Sequence, residues 1–416
     1  MPDSLRLGIL SVAGLLATFA FNAALIYVLG VGDDVDSYVA AFTIPQFLNV
    51  IFASGCFSVL VPHYANKDKA YQTCHASQLL RIAFPLSVIF SAFLCVFSGS
   101  WVAFAFENVF AKQPDLLLQL SMFFLLILPA WAVFLVATSV LYAQNKFVLV
   151  GAITAFPMIF IAAALPIALY FFGIVSAVAL QVIAAYIQSL LAWRAIDYQS
   201  HQRGKQKFLG NLVRDFFYVT SGNAYLKSDL IFDRYLVASG NSGDVTLFFL
   251  AKQVADALSG LIGKVFVNTQ LPIFSRVYMD DGAFALANTY RATAKKISKP
   301  LVLIFFCCLF IFSAGQFFQG DWGATLSWLG QFLVIFLLMF GVVAFGVLGA
   351  LAANTFYSKN ETRIPVIISV ASLTVAFVFK YFMFNHFGVL GLALAISIYY
   401  LVNFIAMHWM LISNGG

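Results

Sequence analysis

The chain has 416 residues, of which 62% are hydrophobic and only 10% charged, with a formal net charge of +6. An ordinary soluble domain is about 45–50% apolar, so this composition excludes one. Apolar runs of about 20 residues recur along the whole chain without polar–apolar alternation, which suits helices crossing a ~30 Å hydrocarbon core rather than the strands of a barrel.

Taken in chain order, the pattern predicts twelve spans: 5–30, 38–62, 79–106, 116–143, 148–171, 174–193, 211–238, 244–272, 297–318, 325–353, 364–384 and 388–412. The apolar run over 7–29 follows Arg6 and is too long for the core of a signal peptide, so it is read as a retained first span. Gly-Val-Gly-Asp-Asp (30–34), Asn-Lys-Asp-Lys (66–69), Lys-Gln-Pro-Asp (112–115) and Ser-Gly-Asn-Ser-Gly-Asp (239–244) supply turn formers between spans. Phe172-Gly173 alone joins the fifth and sixth spans, which predicts a tight hairpin. The five cysteines (Cys56, Cys74, Cys95, Cys307 and Cys308) have neither zinc-site nor disulfide-framework spacing, and no metal is expected.

With the N-terminus in the cytoplasm, most basic residues fall at cytoplasmic ends, among them Arg6, Lys67, Lys69, Arg81, Lys146, Arg194, Lys295 and Arg363. The outer ends hold Lys112, Arg234 and Lys380. This asymmetry follows the positive-inside rule and puts both termini in the cytoplasm. The net positive charge therefore reports topology, and nucleic acid is not expected as a partner.

The two halves repeat. At an offset of 210, Asp34-Val35 meets Asp244-Val245, Ala41 meets Ala251, Leu48 meets Leu258 and Pro62 meets Pro272. At an offset of 215, Pro85-Leu86 meets Pro300-Leu301 and Phe172-Gly173 meets Phe387-Gly388. Turn and proline matches in order at nearly constant offset imply duplication. Six spans is an even number, so the halves are parallel repeats with a pseudo-twofold axis along the membrane normal. The expected organisation is an N-lobe over 1–193, a basic cytoplasmic linker over 194–210 and a C-lobe over 211–416. That architecture implies alternating access with the substrate between the lobes.

Charges inside the spans mark a passage or binding site, because a charge at mid-bilayer costs about 2.5–3.5 kcal/mol on insertion scales. The seventh span carries Lys227, Asp229, Asp233 and Arg234. Lys227 lies about 24 Å from the inner end of that span, past the midplane. The eighth span adds Lys252, Asp256, Ser259, Gly263 and Gln270 in one stripe, with Gln253 beside Lys252. Packing is the competing reading for the i,i+4 pair of Lys252 and Asp256, and capping for Asp233 and Arg234. The first half offers Asp36 at the outer mouth of the second span, with Asn22, Gln46 and Asn49 deeper. Asn22 equally suits an interhelical hydrogen bond. The expected cavity residues are thus Lys227, Lys252, Asp256, Arg234, Asn49 and Gln253, and the expected gate or coupling residues Asp36, Asp229, Asp233 and Asn22. No G-x-x-x-x-G-K-[ST] run is present, so the expected drive is H+, Na+ or the membrane potential, with no other cofactor.

Three stretches carry a family resemblance: GVGDDVDSYVAAFTIPQFLNVIFASGCFSVLVPHYA (30–65), LVASGNSGDVTLFFLAKQVADALSGLIGKVFVNTQLPIFS (236–275) and FYSKNETRIPV (356–366). With two six-helix halves, the sequence resembles the MurJ (MviN) family of lipid II flippases, which shares a superfamily with the MATE multidrug exporters and the Wzx polysaccharide flippases. The resemblance implies an outer-gate role for Asp36 and the acidic position of the eighth helix for Asp256. It also shows departures. Family arginines fall at Phe21, Tyr27, Asn49 and the adjacent Val50, another falls at Gln253 beside Lys252, and the family's helices 13 and 14 have no counterpart. These departures point to a relative carrying another lipid-linked glycan, such as an O-antigen, capsule or exopolysaccharide repeat unit.

The function implied is a transporter of the bacterial inner membrane, not an enzyme. It would flip a glycan on an undecaprenyl diphosphate type of carrier, with Lys227 and Lys252 neutralising the diphosphate. The bilayer and polysaccharide polymerase or assembly proteins are the other implied partners. A MATE-type drug/cation antiporter is the alternative; a membrane glycosyltransferase would want large outer loops or an acid/His cluster, and a scaffold would leave the charges without purpose.

Overall fold

The structure, a computed structural model, describes residues 3–65, 67–196, 210–267, 270–318, 327–359, 361 and 363–413. Among them every regular element is helical. The chain divides into two compact units, Met1–Gly243 and Asp244–Gly416.

The first unit opens with α1 (Asp3–Leu29) and α2 (Asp33–Gly55), the latter running through a π-helical turn (Cys56–Leu60) into the short α3 (Val61–Ala65). Asp33, Asp34 and Asp36 occupy the first turn of α2, where carboxylates complement the positive end of the helix dipole. Then follow α4 (Lys69–Val96), α5 (Ser98–Ala105), α6 (Glu107–Lys112) and α7 (Pro114–Leu125), the last started by a proline whose missing N–H costs nothing at that position. The rest are α8 (Ile127–Ala143), α9 (Phe147–Phe172), α10 (Val175–Arg194), α11 (Gly210–Lys227) and α12 (Asp229–Ala238). Helix α1 packs on α9, α10 on α8 and α9, α4 on α8, and α2 on α7, α11 and α12. Tyr64, Ala76, Val140, Leu141 and Val150 form a core joining α3, α4, α8 and α9. Tyr64 Oη and His75 Nδ1 share a 3.0 Å hydrogen bond across that core. On α9, Phe156, Phe160, Ile167 and Tyr170 are all more than 60% exposed and form a face suited to lipid rather than water.

The second unit comprises α13 (Asp244–Ile262) with a π-helical turn (Gly263–Val267), α14 (Gln270–Phe318), α15 (Ser327–Leu338), α16 (Phe340–Ser358) and α17 (Arg363–Ser413). Helix α13 packs on α15 and α16, α14 on α16, and α16 on α17. Each unit thus carries a π-helical turn near the end of its acidic-capped helix. Each also has its predicted hairpin glycine: Gly173 at φ 63°, ψ −161° and Gly388 at φ 60°, ψ −145°. Only glycine adopts that conformation readily, so the duplicated Phe-Gly is a duplicated turn.

The protein is an all-α polytopic membrane protein. Among the described residues nine helices are long and apolar enough to cross a membrane, and the 51-residue α17 turns at Gly388, so it supplies two of the twelve predicted spans. The seventh span is divided by a turn at Ser228 into α11 and α12, and the ninth forms the later part of α14, beyond its kink at Gly282. Residues 197–209 of the expected linker lie outside the described residues. The expected lobes were drawn from the repeat; contacts divide the chain later, after Gly243, and so group α11 and α12 with the first six spans.

Candidate functional site

The first unit gathers polar groups where α12 and the turn after it meet the outer end of α2. Asp36 is buried, 2% exposed, and its Oδ2 accepts a 2.6 Å hydrogen bond from the Gly243 backbone N–H. Gly243 has φ 87°, and a Cβ there would collide with Val31, so the close approach needs glycine. Two to three turns along α2, the Arg234 guanidinium donates from Nη1 to Thr43 Oγ1 at 3.0 Å and from Nη2 to Gln46 Oε1 at 2.6 Å. Arg234 is 5% exposed and its neighbour Asp233 2%. The side chains of two helices thus satisfy a buried charge, which in an apolar setting would otherwise be costly. Around this seam lies a looser rim. Lys112 Nζ pairs with Asp33 Oδ1 at 2.9 Å, Gln113 donates to Asp34 at 2.7 Å, and Asn108 donates to the Ser239 carbonyl at 3.1 Å.

The inner part of the same seam is apolar. Gly55 of α2 faces α11 so closely that a Cβ would lie 2.6 Å from Thr220 Oγ1 and 2.9 Å from the Phe216 ring. Phe52 and Phe216 stack with ring centroids 6.3 Å apart. Asn49 belongs to the wall of a cavity beside this stretch.

Lys227 ends α11 and is exposed; Asp229 begins α12 and is half-buried. The turn between them is held by Ser228, whose Oγ donates to the Tyr225 carbonyl at 2.7 Å, a back-bond of the kind that bends helices. In the second unit, Lys252 Nζ contacts Asp256 Oδ1 at 2.8 Å and Oδ2 at 2.9 Å, with Asp256 the more exposed partner. Gln253 is half-buried on the same helix, and Ser259 faces Gly346 of α16. Asn22 is buried in α1 and hydrogen-bonded or otherwise partnered.

Of the expected residues, the structure brings Asp36, Asp233 and Arg234 to one seam. It sets Asn49 on the cavity wall, leaves Lys227 exposed and Asp229 half-buried, and pairs Lys252 with Asp256. Thr43 and Gly243 were not singled out as functional from sequence, since a threonine in an apolar run and a glycine in a turn carry no mark of their partners. Lys380, expected at an outer end, is completely buried within the second unit, its ammonium 5.7 Å from the centre of the Tyr399 ring. Among the described residues no cluster of three or more His, Cys, Asp or Glu side chains is placed to hold a metal ion.

A family profile described as Lipid II flippase MurJ matches residues 25–415. A probable lipid II flippase MurJ of Buchnera aphidicola subsp. Schizaphis graminum is 24% identical over 458 aligned positions, covering 100% of this chain and 84% of the relative. A putative O-antigen transporter of Shigella flexneri is 22% identical over 204 positions, covering 47% of this chain and 46% of the relative. Among solved structures, a lipid II flippase MurJ in an inward closed conformation is similar with TM-score 0.77 at 18% identity, over 98% of this chain and 87% of that one. An inward-facing MATE multidrug transporter of the MOP superfamily is similar with TM-score 0.74 at 15% identity, over 98% of both chains. At such identities the structures speak for the fold alone, while the profile spans nearly the whole sequence. The chain belongs to the lipid II flippase MurJ family, whose members are multi-pass inner-membrane transporters.

Proposed function

We propose that this chain moves a polyprenyl-diphosphate-linked oligosaccharide from the inner to the outer leaflet by alternating access. The cargo is an O-antigen, capsule or exopolysaccharide repeat unit, or lipid II. The observation that carries the reading is the buried polar seam between α2 and α12. A passage open to one side at a time needs a closure satisfied when shut and readily hydrated when open. Asp36, Thr43, Gln46, Arg234 and the Gly243 N–H have that chemistry. An apolar seam would close too, but water would not reopen it.

The cargo carries a diphosphate, and exposed Lys227 and the Lys252–Asp256 pair suit it. Lysine offers a compact, mobile charge, whereas the arginines that the family resemblance places at Phe21, Tyr27, Asn49 and Gln253 would grip phosphate bidentately with a planar fork. Lys252 leaving Asp256 for the diphosphate would free the carboxylate for H+ or Na+, which would couple the drive to cargo; the membrane potential acting on the cationic site is the other source. Polysaccharide polymerase or assembly proteins would take the cargo on the outer side. The likeness to an O-antigen transporter of Shigella flexneri and the departures at Phe21, Tyr27 and Gln253 favour a surface-polysaccharide unit over lipid II. The MATE-type antiporter remains the second reading on the strength of the shared fold. Against it, Asp256, the acid a cationic drug would need, is already engaged by Lys252.

Complementation tests the proposal in strains lacking a lipid II flippase or a surface-polysaccharide flippase. The chain is expected to restore surface polysaccharide, and Lys227→Ala and Lys252→Ala to lower export at least tenfold at unchanged protein level. Restored drug efflux without any glycan phenotype would overturn the proposal.

A further inference from the structure

Within the first unit, α2, α4, α8 and α11 enclose a cavity of about 530 Å³. Its wall is nearly all apolar, with Phe52, Leu86, Trp131, Leu135 and Phe216 prominent and Asn49, Ser87 and Thr220 as its few hydroxyl or amide side chains. The cavity communicates with lipid along α4, because Ile82 and Leu86 line it and are also 52% and 62% exposed. Apolar space of this kind stays dry and takes apolar ligands. A ~150 Å³ cavity holds a six-carbon ring, so this one has room for on the order of twenty carbons, about four isoprene units.

One further observation says that the occupant has a polar end. Phe216, Thr220, Asn223 and Lys227 follow one another at i, i+4, i+7 and i+11 on the continuous helix α11. That spacing is one helical face. The cavity wall therefore leads, over about 10 Å from Thr220, to the exposed ammonium-bearing Lys227. Lys227 stands about 25 Å from the start of α11, past the midplane of a ~30 Å core, so an anion held there has already left the inner leaflet.

We propose that this cavity receives the stretch of the polyprenyl chain nearest the diphosphate while Lys227 holds the diphosphate itself. The inference rests on the flippase reading above and adds the route of the tail. The tail then lags in the cytoplasmic half of the bilayer, held by α2, α4, α8 and α11, as the head group advances along α11.

The test uses the full chain in liposomes, with undecaprenyl diphosphate carrying a photoreactive group on one of its first four isoprene units. Crosslinks are expected on cavity residues such as Phe52, Leu86 and Phe216, competed away by unlabelled undecaprenyl diphosphate. Ala132→Trp and, independently, Ala83→Trp should fill the space, abolish those crosslinks and slow flipping at least tenfold in monodisperse protein. Crosslinks confined to other helices, or normal flipping by both filled variants while the wild type flips, would overturn the tail route and leave the flippase reading standing. Labelling of the cavity by a photoreactive phosphatidylcholine that undecaprenyl diphosphate does not displace would also overturn it, in favour of a resident lipid. A wild type that moves no polyprenyl diphosphate would instead remove the reading on which the route depends.

Discussion

The two ends of one seam differ in kind. At its outer end α2 meets α12 and the following turn through hydrogen bonds of buried charged groups, Asp36 to Gly243 and Arg234 to Thr43 and Gln46. At its inner end α2 meets α11 through Gly55, Phe52 and Phe216, with an apolar cavity alongside. Directional contacts are made or lost as units, which suits an end that is either shut or open. Dispersion contacts change gradually with separation, so the inner end can yield by small shifts and admit a flexible chain.

The largest expected effect follows from removing the cation of the outer end. Arg234→Met keeps the volume but leaves Thr43 Oγ1 and Gln46 Oε1 without their donor. Hydrogen bonds to charged groups contribute about 1.5–3 kcal/mol each. The variant should lose about 3 kcal/mol of stability, read as a lowered Tm of the purified protein, and flip more than a hundredfold more slowly in proteoliposomes. Arg234→Lys should recover only part of this, since one ammonium replaces a fork that reaches two acceptors. Wild-type Tm and rate in Arg234→Met would mean that the outer contacts do not close anything.

A smaller effect is expected at the inner end. Gly55→Ala places a methyl group against Thr220 Oγ1 and the Phe216 ring. Overpacking costs about 1–3 kcal/mol, and the aromatic ring can turn aside, which argues for the lower part of that range. The double variant Gly55→Ala/Thr220→Ala should regain at least half the loss, because it removes the nearest clashing atom. Thermal melts of the four members of this cycle measure the coupling. Strict additivity would show that α11 does not lean on Gly55.

Much of this comparison was legible in the sequence, for reasons that also explain what was not. Charge within an apolar span is rare and costly, so Asp233 and Arg234 stood out in the seventh span, while Asp36 stood out at the outer mouth of the second span and through the family resemblance. The Phe-Gly hairpins stood out because only glycine tolerates that backbone. Ser228 did not, since a serine inside a helical pattern is unremarkable until its hydroxyl takes a carbonyl of the preceding turn. The early start of α4 was missed because residues 69–78 are polar, and hydropathy says nothing about a helix that continues beyond the apolar core. Asp36 was recognised, but its partner is a backbone N–H 207 residues away, and a backbone group leaves no trace in side-chain pattern.

The smallest effect is expected only three residues from Asp36. Lys112 and Asp33 form an ion pair at 2.9 Å, within the range of the hydrogen bonds in the seam, but their side chains are 43% and 37% exposed. Water already solvates both groups, and ordering the lysine costs entropy, so such a pair contributes about 0–1 kcal/mol and is screened by salt. Lys112→Ala should shift Tm by no more than about a degree or two and leave flipping within twofold, with the difference vanishing in high salt. A loss as large as that of Arg234→Met would place the closure in the surface rim and make burial irrelevant to it. The contrast between the two variants therefore asks whether the outer end is held by charge as such, or by charge that water reaches only when the seam opens.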